Sequence, residues 1–420
     1  MHGTAQIGKN VKKRSCTALF GISERFRSRY AIPMTPRLLC LLLLLAVRPL
    51  AAQPGRLVIV GGALRDTNTA VYRAIVDARQ GSGPFCIIPT AGATPETAMD
   101  GPVRTFERYS GAGTARGVLI SAKQPETARD PAVVAQLEAC SGFYFIGGVQ
   151  SRVTAAFRPD GQSTPAYEAV LKRWREGAVV AGSSAGAAIM SDPMIANGTS
   201  AGAFTRGFKR LDGAAADDDS TAGMTISFGL GFFPAALADQ HFLARGRFGR
   251  LLVALLDVPG FDLAFGIDEN TALVVDGPQV RALGASAVTV FDARGATRNG
   301  RSARGLTMHV MSMGDGFDLS TRRYTASAEK TALEGGGPAV TSPANIFAPW
   351  EFLKTLESFG RSSDREVSWP VSGGAITLRK ADAFRATRLD GTGVQNVVAG
   401  LGMTGLRMDV ERPATAGRAP

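Results

Sequence analysis

From residue 56 the chain alternates short β-rich apolar runs with amphipathic stretches, and that alternation leaves few folds open to it. It is the pattern of βαβ units and predicts an α/β domain with a mainly parallel sheet sandwiched by helices. The strand candidates are Leu57 to Val60, Phe85 to Ile88, Val118 to Ile120, Phe143 to Ile146 and Ala178 to Ala181. Helices with legible caps lie between them. Thr164 and Pro165 open one whose Tyr167, Val170, Leu171 and Trp174 share a face and which Gly177 stops. Asp130 and Pro131 open another, carrying Val133, Val134 and Leu137. A third, around Val71, Ala74, Ile75 and Ala78, follows the first strand.

A net charge of +11 invites a nucleic-acid reading, so its location matters. Residues 1 to 52 hold nine basic residues and one acid, Glu24, leaving 38 basic against 35 acidic residues in the remainder. That near balance removes the charge argument for a partner of DNA or RNA. Leu38 to Val47 is an unbroken apolar run of ten residues, preceded by Arg37 and followed by Leu50-Ala51-Ala52. It fits a secretory signal peptide over residues 1–52, cleaved near Ala52, and it is too short to span a bilayer. A start at Met34 would leave residues 1–33 untranslated. Export to the periplasm or the exterior is the expectation, with no membrane association after cleavage. Of the four cysteines, Cys16 and Cys40 fall in this leader. Cys86 and Cys140 read as small core residues that an exported protein could join.

In an open sheet of this type, ligands bind beyond the carboxyl ends of the strands. Gly61-Gly62 follows the first strand and needs no explanation beyond turn formation. Gly147-Gly148-Val149-Gln150 follows the fourth, and Gly182-Ser183-Ser184-Ala185-Gly186 the fifth. None matches a dinucleotide or P-loop fingerprint. The last is GxSxG between an apolar strand and small helix-forming residues, the context that holds a serine on a strained elbow. A serine hydroxyl needs a base, usually histidine, and the base needs an acid to orient it. Outside the leader there are two histidines. His309 lies in an alternating strand-like stretch and reads as structural; His241, in Asp239-Gln240-His241-Phe242 ahead of Arg245, Arg247 and Arg250, lies among polar residues that make poor core. Asp268 and Glu269 sit in a turn before an apolar strand. Two triads stay open: Ser184, His241 and Glu269, or the α/β-hydrolase order of Ser184, Asp268 or Asp276, and His309.

The set Gly147-Gly148-x-Gln150, Gly182-x-Ser184-Ala185-Gly186-Ala187, Asp239-Gln240-His241-Phe242 with Arg245 and Arg247, and Gly266-Ile-Asp-Glu-Asn-Thr-Ala272 resembles the cyanophycinases. These belong to the serine peptidase family that also contains aspartyl dipeptidase (peptidase E). The resemblance runs from about Arg56 to Arg323. It implies a class I glutamine-amidotransferase-like fold of flavodoxin-like layers, with Ser184 as nucleophile, His241 as general base and Glu269 as its orienting acid. It also implies Gly148 and Ala185 as oxyanion donors, and Gln150, Asp239, Gln240, Arg245, Arg247 and Arg250 as substrate-binding residues, with Asp239 meeting the substrate's arginine. The substrate implied is cyanophycin, cut to β-aspartyl-arginine dipeptides, with no metal or organic cofactor and with a homodimer as the assembly. One position departs from the family's Gly-Gly-Asp-Gln: Val149 stands where the acid would border the cleft.

The expected organisation is therefore a leader over 1–52, a peptidase domain over 53–323 and a small C-terminal α+β extension over 324–420. In the last, Glu334-Gly-Gly-Gly-Pro338 reads as a linker, Asn345 to Phe359 as a helix, and Glu366-Val-Ser-Trp-Pro and Ala375-Ile-Thr-Leu as short strands. Asp217-Asp218-Asp219 reads as part of a polar loop rather than a cation site. An esterase using His309, an aspartyl dipeptidase with another substrate and a non-catalytic binding protein on the same fold are the competing functions.

Overall fold

Two strand systems end at one place, and that convergence builds the site. A computed structural model describes residues 53–211, 223–371 and 373–413; the leader and Asp217-Asp218-Asp219 lie outside the described residues. The first sheet has nine strands, five of them parallel: Leu57–Val60, Val179–Ser183, Gly142–Phe145, Phe85–Ile88 and Ala115–Gly117, in that spatial order. Leu57–Val60, Val179–Ser183, Gly142–Phe145 and Phe85–Ile88 are buried along their whole length, as strands covered on both faces must be. Val118 to Ile120, expected as a strand, is not one. The ladder bonds belong to Ala115–Gly117 at the sheet edge, and Val118 and Ile120 point into the core just past it. The helix caps are used as the residue types predict: Thr164 Oγ1 accepts from Tyr167 N, and Asp130 accepts from Ala132 N. Cys86 and Cys140 form a disulfide, Cα to Cα 5.9 Å, with both cysteines fully buried.

Thr271–Asp276 pairs antiparallel with the central Leu57–Val60, placing Ala272 beside Val60. The turn before it, Asp268 to Asn270, therefore stands at the edge where Val60 and Ser183 end. The second sheet supplies the rest. Its strands Leu237–Asp239 and Leu263–Ile267 run parallel, so the residues after each, His241 and Glu269, leave at the same edge.

Residues beyond 324 are built into this second sheet. Gly402–Glu411 pairs with both Ser302–Ser312 and Gly374–Arg388, and Glu366–Val371 closes a hairpin with the latter. Helix Glu351–Arg361 covers them. Phe352 stacks on Phe248 with ring centroids 4.0 Å apart, and Trp350 N donates to Leu243 O at 2.8 Å. The C-terminal segment thus packs directly against the helical stretch that follows His241. Among the described residues no helix is long and apolar enough to cross a membrane.

Candidate active site

Ser184 ends the strand Val179–Ser183 and precedes the short helix Ala185–Ala188, with φ 55° and ψ −111°. A non-glycine residue there costs about 1 to 3 kcal/mol, and the surrounding structure must hold it. The glycines of GxSxG make that possible. A Cβ on Gly182 would stand 2.2 Å from Gly186 O, and one on Gly186 2.2 Å from Phe145 O. Ser184 N donates to Val60 O at 3.0 Å, fixing the elbow to the central strand.

His241 also has positive φ, 47°, and its N donates to Gly61 O at 2.7 Å. Its ring lies over Gly62, where an added Cβ would come within 2.3 Å of Cε1. Gly61-Gly62 is thus more than a turn former: only a residue without a side chain lets the imidazole in. His241 Nε2 is 2.8 Å from Ser184 Oγ, and Nδ1 is 2.6 Å from Glu269 Oε1. Burial lowers the His241 pKa to about 4. The hydrogen bond that Nδ1 donates to Glu269 opposes this, and the charges of Arg245 and Arg247 push it further down. The ring is therefore neutral and able to accept a proton well below pH 7.

Asp268, adjacent to Glu269, is not an alternative acid. Its Oδ1 accepts from Leu243 N at 3.0 Å and Ala244 N at 2.9 Å, and its Oδ2 from Ser286 Oγ at 2.5 Å. It ties the turn carrying Glu269 to the backbone just after His241, a positioning contact that the sequence did not reveal. Burial raises its pKa to about 6 against those three donors. Asn270 closes the turn: its Oδ1 accepts from Asn68 Nδ2 at 2.9 Å and Arg65 N at 3.1 Å. Asp276 pairs with Arg56 at 2.6 Å, and His309 sits in the second sheet with Nδ1 3.0 Å from Thr404 Oγ1 and its ring stacked on Tyr324. Neither His309 nor the acids of the hydrolase order join Ser184.

The expected substrate-binding residues divide. Asp239 and Arg250 are corrected: both are buried at 1% exposure and grip each other bidentately, Nε to Oδ2 at 2.8 Å and Nη2 to Oδ1 at 2.6 Å, so neither meets a substrate. Arg250 Nη1 also donates to Gly198 O. The buried pair is a strut between the strand Leu237–Asp239, which leads to His241, and helix Phe248–Asp257, its charges matched because an isolated one would be costly. Gln150 is half-buried, and its Nε2 donates to Ala196 O and Ile195 O. Arg247 Nη1 donates to Gln240 O at 3.0 Å. Gln240 is buried beside His241, with an Oε1 that has no hydrogen-bond partner among the described residues. Arg245 is half-exposed, its Nε 4.0 Å from Glu269 Oε1. Gly148, at φ 143°, packs so tightly that a Cβ would fall 2.1 Å from Ala91 O; a Cβ on its neighbour Gly147 would lie 3.2 Å from Ser184 Cβ. Gly147 thus lies against the reacting serine, and Ala185 follows that serine directly at the start of the short helix. Among the described residues no group of three or more His, Cys, Asp or Glu could hold a metal ion.

A nucleophile-elbow serine with a histidine and carboxylate behind it, at the carboxyl edge of a mainly parallel sheet, defines a serine hydrolase geometry. The model of peptidase family S51 matches residues 57–283. The chain belongs to that family and is a serine peptidase. Cyanophycinase from Nostoc sp. (strain PCC 7120 / SAG 25.82 / UTEX 2576) is 32% identical over 247 residues, covering 56% of this chain and 75% of the relative. Cyanophycinase from Geminocystis herdmanii (strain PCC 6308) is 29% identical over 253 residues, covering 58% and 85%. Among solved structures, a peptidase from an acI-B1 Actinobacterium aligns over 64% of this chain and 98% of its own, at 19% identity and a TM-score of 0.45.

Proposed function

We propose that the chain is an exported serine peptidase that hydrolyses the β-aspartyl-arginine polymer cyanophycin to β-aspartyl-arginine dipeptides. Ser184 is the nucleophile, His241 the general base and Glu269 the acid that orients it. The observation that carries this reading is the unbroken line from Ser184 Oγ through both ring nitrogens of His241 to Glu269, at 2.8 and 2.6 Å. With the Nδ1 proton donated to Glu269, Nε2 is left as acceptor for the serine proton. Ser184 Oγ attacks the scissile carbonyl carbon as its proton passes to Nε2. The imidazolium returns that proton to the leaving amine as the C–N bond breaks. Water, deprotonated by the same nitrogen, then releases the acyl group. The N–H groups of Gly148 and Ala185 serve as oxyanion donors, each contributing about 3 to 4 kcal/mol to the transition state.

The substrate assignment rests on kinship with the cyanophycinases. Arg245, at the mouth of the site, suits a polymer that presents carboxylates, since a guanidinium can grip one bidentately. The unmet acceptor of Gln240 suits a substrate N–H donor. Export is supported by the charged and apolar patterning of residues 1–52 and by the Cys86–Cys140 bond, a kind that persists in oxidising compartments. Incubating the mature chain with cyanophycin, followed by mass analysis, tests bond and substrate together. Release of β-aspartyl-arginine that stops in Ser184→Ala is the expected result. An intact polymer in the presence of folded protein whose Ser184 still reacts with a fluorophosphonate would reject the substrate and keep the chemistry.

A further inference from the structure

A cavity of about 360 Å³ opens beside the elbow, and its inner wall includes Ser183 and Gly147, the neighbours of the reacting hydroxyl in chain and in space. Its outer wall carries Asp66, Arg104 and Arg108, with Tyr144 between. Arg104 and Arg108 stand four residues apart on helix Asp100–Ser110 and so share one face. Asp66 is already engaged. Its Oδ2 accepts from Thr105 Oγ1 at 3.2 Å and lies 3.9 Å from an Arg108 nitrogen, which steadies Arg108 without saturating it. Arg104 has no hydrogen bond or ion pair among the described residues. Two guanidinium groups thus face one concave space against a single carboxylate. Like charges at this spacing repel each other, and the charge that would relieve them is a second anion.

We infer that this cavity is a substrate subsite that takes a carboxylate close to the scissile carbonyl, with Arg104 and Arg108 as its anchors and Asp66 as the residue that aims Arg108. The inference rests on Ser184 being the reacting group and adds a specificity device to it. The mouth residue Arg245 lies on a different segment and is not part of this cavity. A ligand carboxylate would be held by planar, directional donors, so an amide of the same shape, which turns N–H groups towards those donors, binds more weakly.

The test is calorimetric binding to full-length mature Ser184→Ala protein, which needs no turnover. The probes are β-aspartyl-arginine and its diamide, in which both free carboxyl groups are amidated. The dipeptide is expected to bind at least about 10-fold more tightly than the diamide, as one charge-assisted bidentate contact implies. The difference should vanish when Arg104→Gln and Arg108→Gln are added. Both side chains are exposed at the surface, so these variants should keep the parent's thermal unfolding midpoint, and Arg104→Lys should restore part of the preference. Equal affinity for the two probes, a preference that survives the double substitution, or no binding of either probe would each overturn the subsite. Failure of the hydrolase reading shows separately, as a wild-type Ser184 that is inert to fluorophosphonate.

Discussion

His241 and His309 occupy outwardly equivalent surroundings. Each is buried, at 6% and 7% exposure, and in each burial pushes the pKa down to about 4. Each has a hydroxyl within hydrogen-bond reach, Ser184 Oγ for one and Thr404 Oγ1 for the other. What separates them is the far side of the ring and the backbone beneath it. His241 has a carboxylate behind it and faces a serine held at positive φ, whereas His309 has the flat face of Tyr324 and a threonine at an irregularity of the neighbouring strand Gly402–Glu411. Burial and a shifted pKa mark a histidine as constrained; only the partners on both nitrogens mark it as a base.

The largest effect should separate the two outright. Ser184→Ala and His241→Ala are each expected to lower kcat by about 10⁶, as removal of a member of a serine-histidine pair does, while His309→Ala keeps kcat within about twofold of the parent. Steady-state turnover of cyanophycin or a β-aspartyl substrate measures this, and a large loss with His309→Ala would undo the distinction drawn here.

Next in size is the buried strut between Asp239 and Arg250. Asp239→Ala leaves Arg250 buried and uncompensated, and should cost about 3 to 5 kcal/mol of unfolding free energy by denaturant titration. Retained stability would mean that the strut is dispensable. His309→Ala removes a ring packed against Phe317 and Tyr324 and should cost about 3 kcal/mol, a stability defect without a catalytic one.

The smallest effects are in pH. Because both histidines have folded pKa values below the usual 6.5, each favours the neutral ring. Their contribution to stability is present above about pH 6.5 and is lost as pH falls towards 4. For His241 the same shift should appear in kinetics, as an acidic limb of kcat/KM near pH 4. Arg245→Gln removes a positive charge that holds the His241 pKa down, so the limb should move up, by about 0.3 pH unit for an exposed charge. His309→Ala should leave that limb unmoved, and an equal shift from the two substitutions would blur the comparison.

Much of the first sheet could be read because its signals are short-range. An apolar run, a capped helix and a glycine at a strand end each lie within a dozen residues, and Leu57–Val60, Phe85–Ile88 and Val179–Ser183 fall close to where the apolar runs put them. The second sheet could not be read this way. Gly402–Glu411 finds its partner about a hundred residues back in Ser302–Ser312, and nothing in either strand names the other. The same limit explains Asp239 and Arg250. Composition marked them as too polar for a core, yet they neutralise each other inside it, and only their placement shows that.

The sequence by itself determined the serine, the glycines that let it sit on a strained turn, and the alternation that puts such a turn at a strand's carboxyl end, because these follow from backbone sterics and periodicity over a few residues. The tertiary structure decided which histidine and which acid meet that serine, that Asp268 binds backbone rather than imidazole, and that Asp66 lies beside two arginines about forty residues away. Those outcomes depend on which strand edges come together, and that is settled by packing energies summed over the whole chain rather than by any local stretch of it.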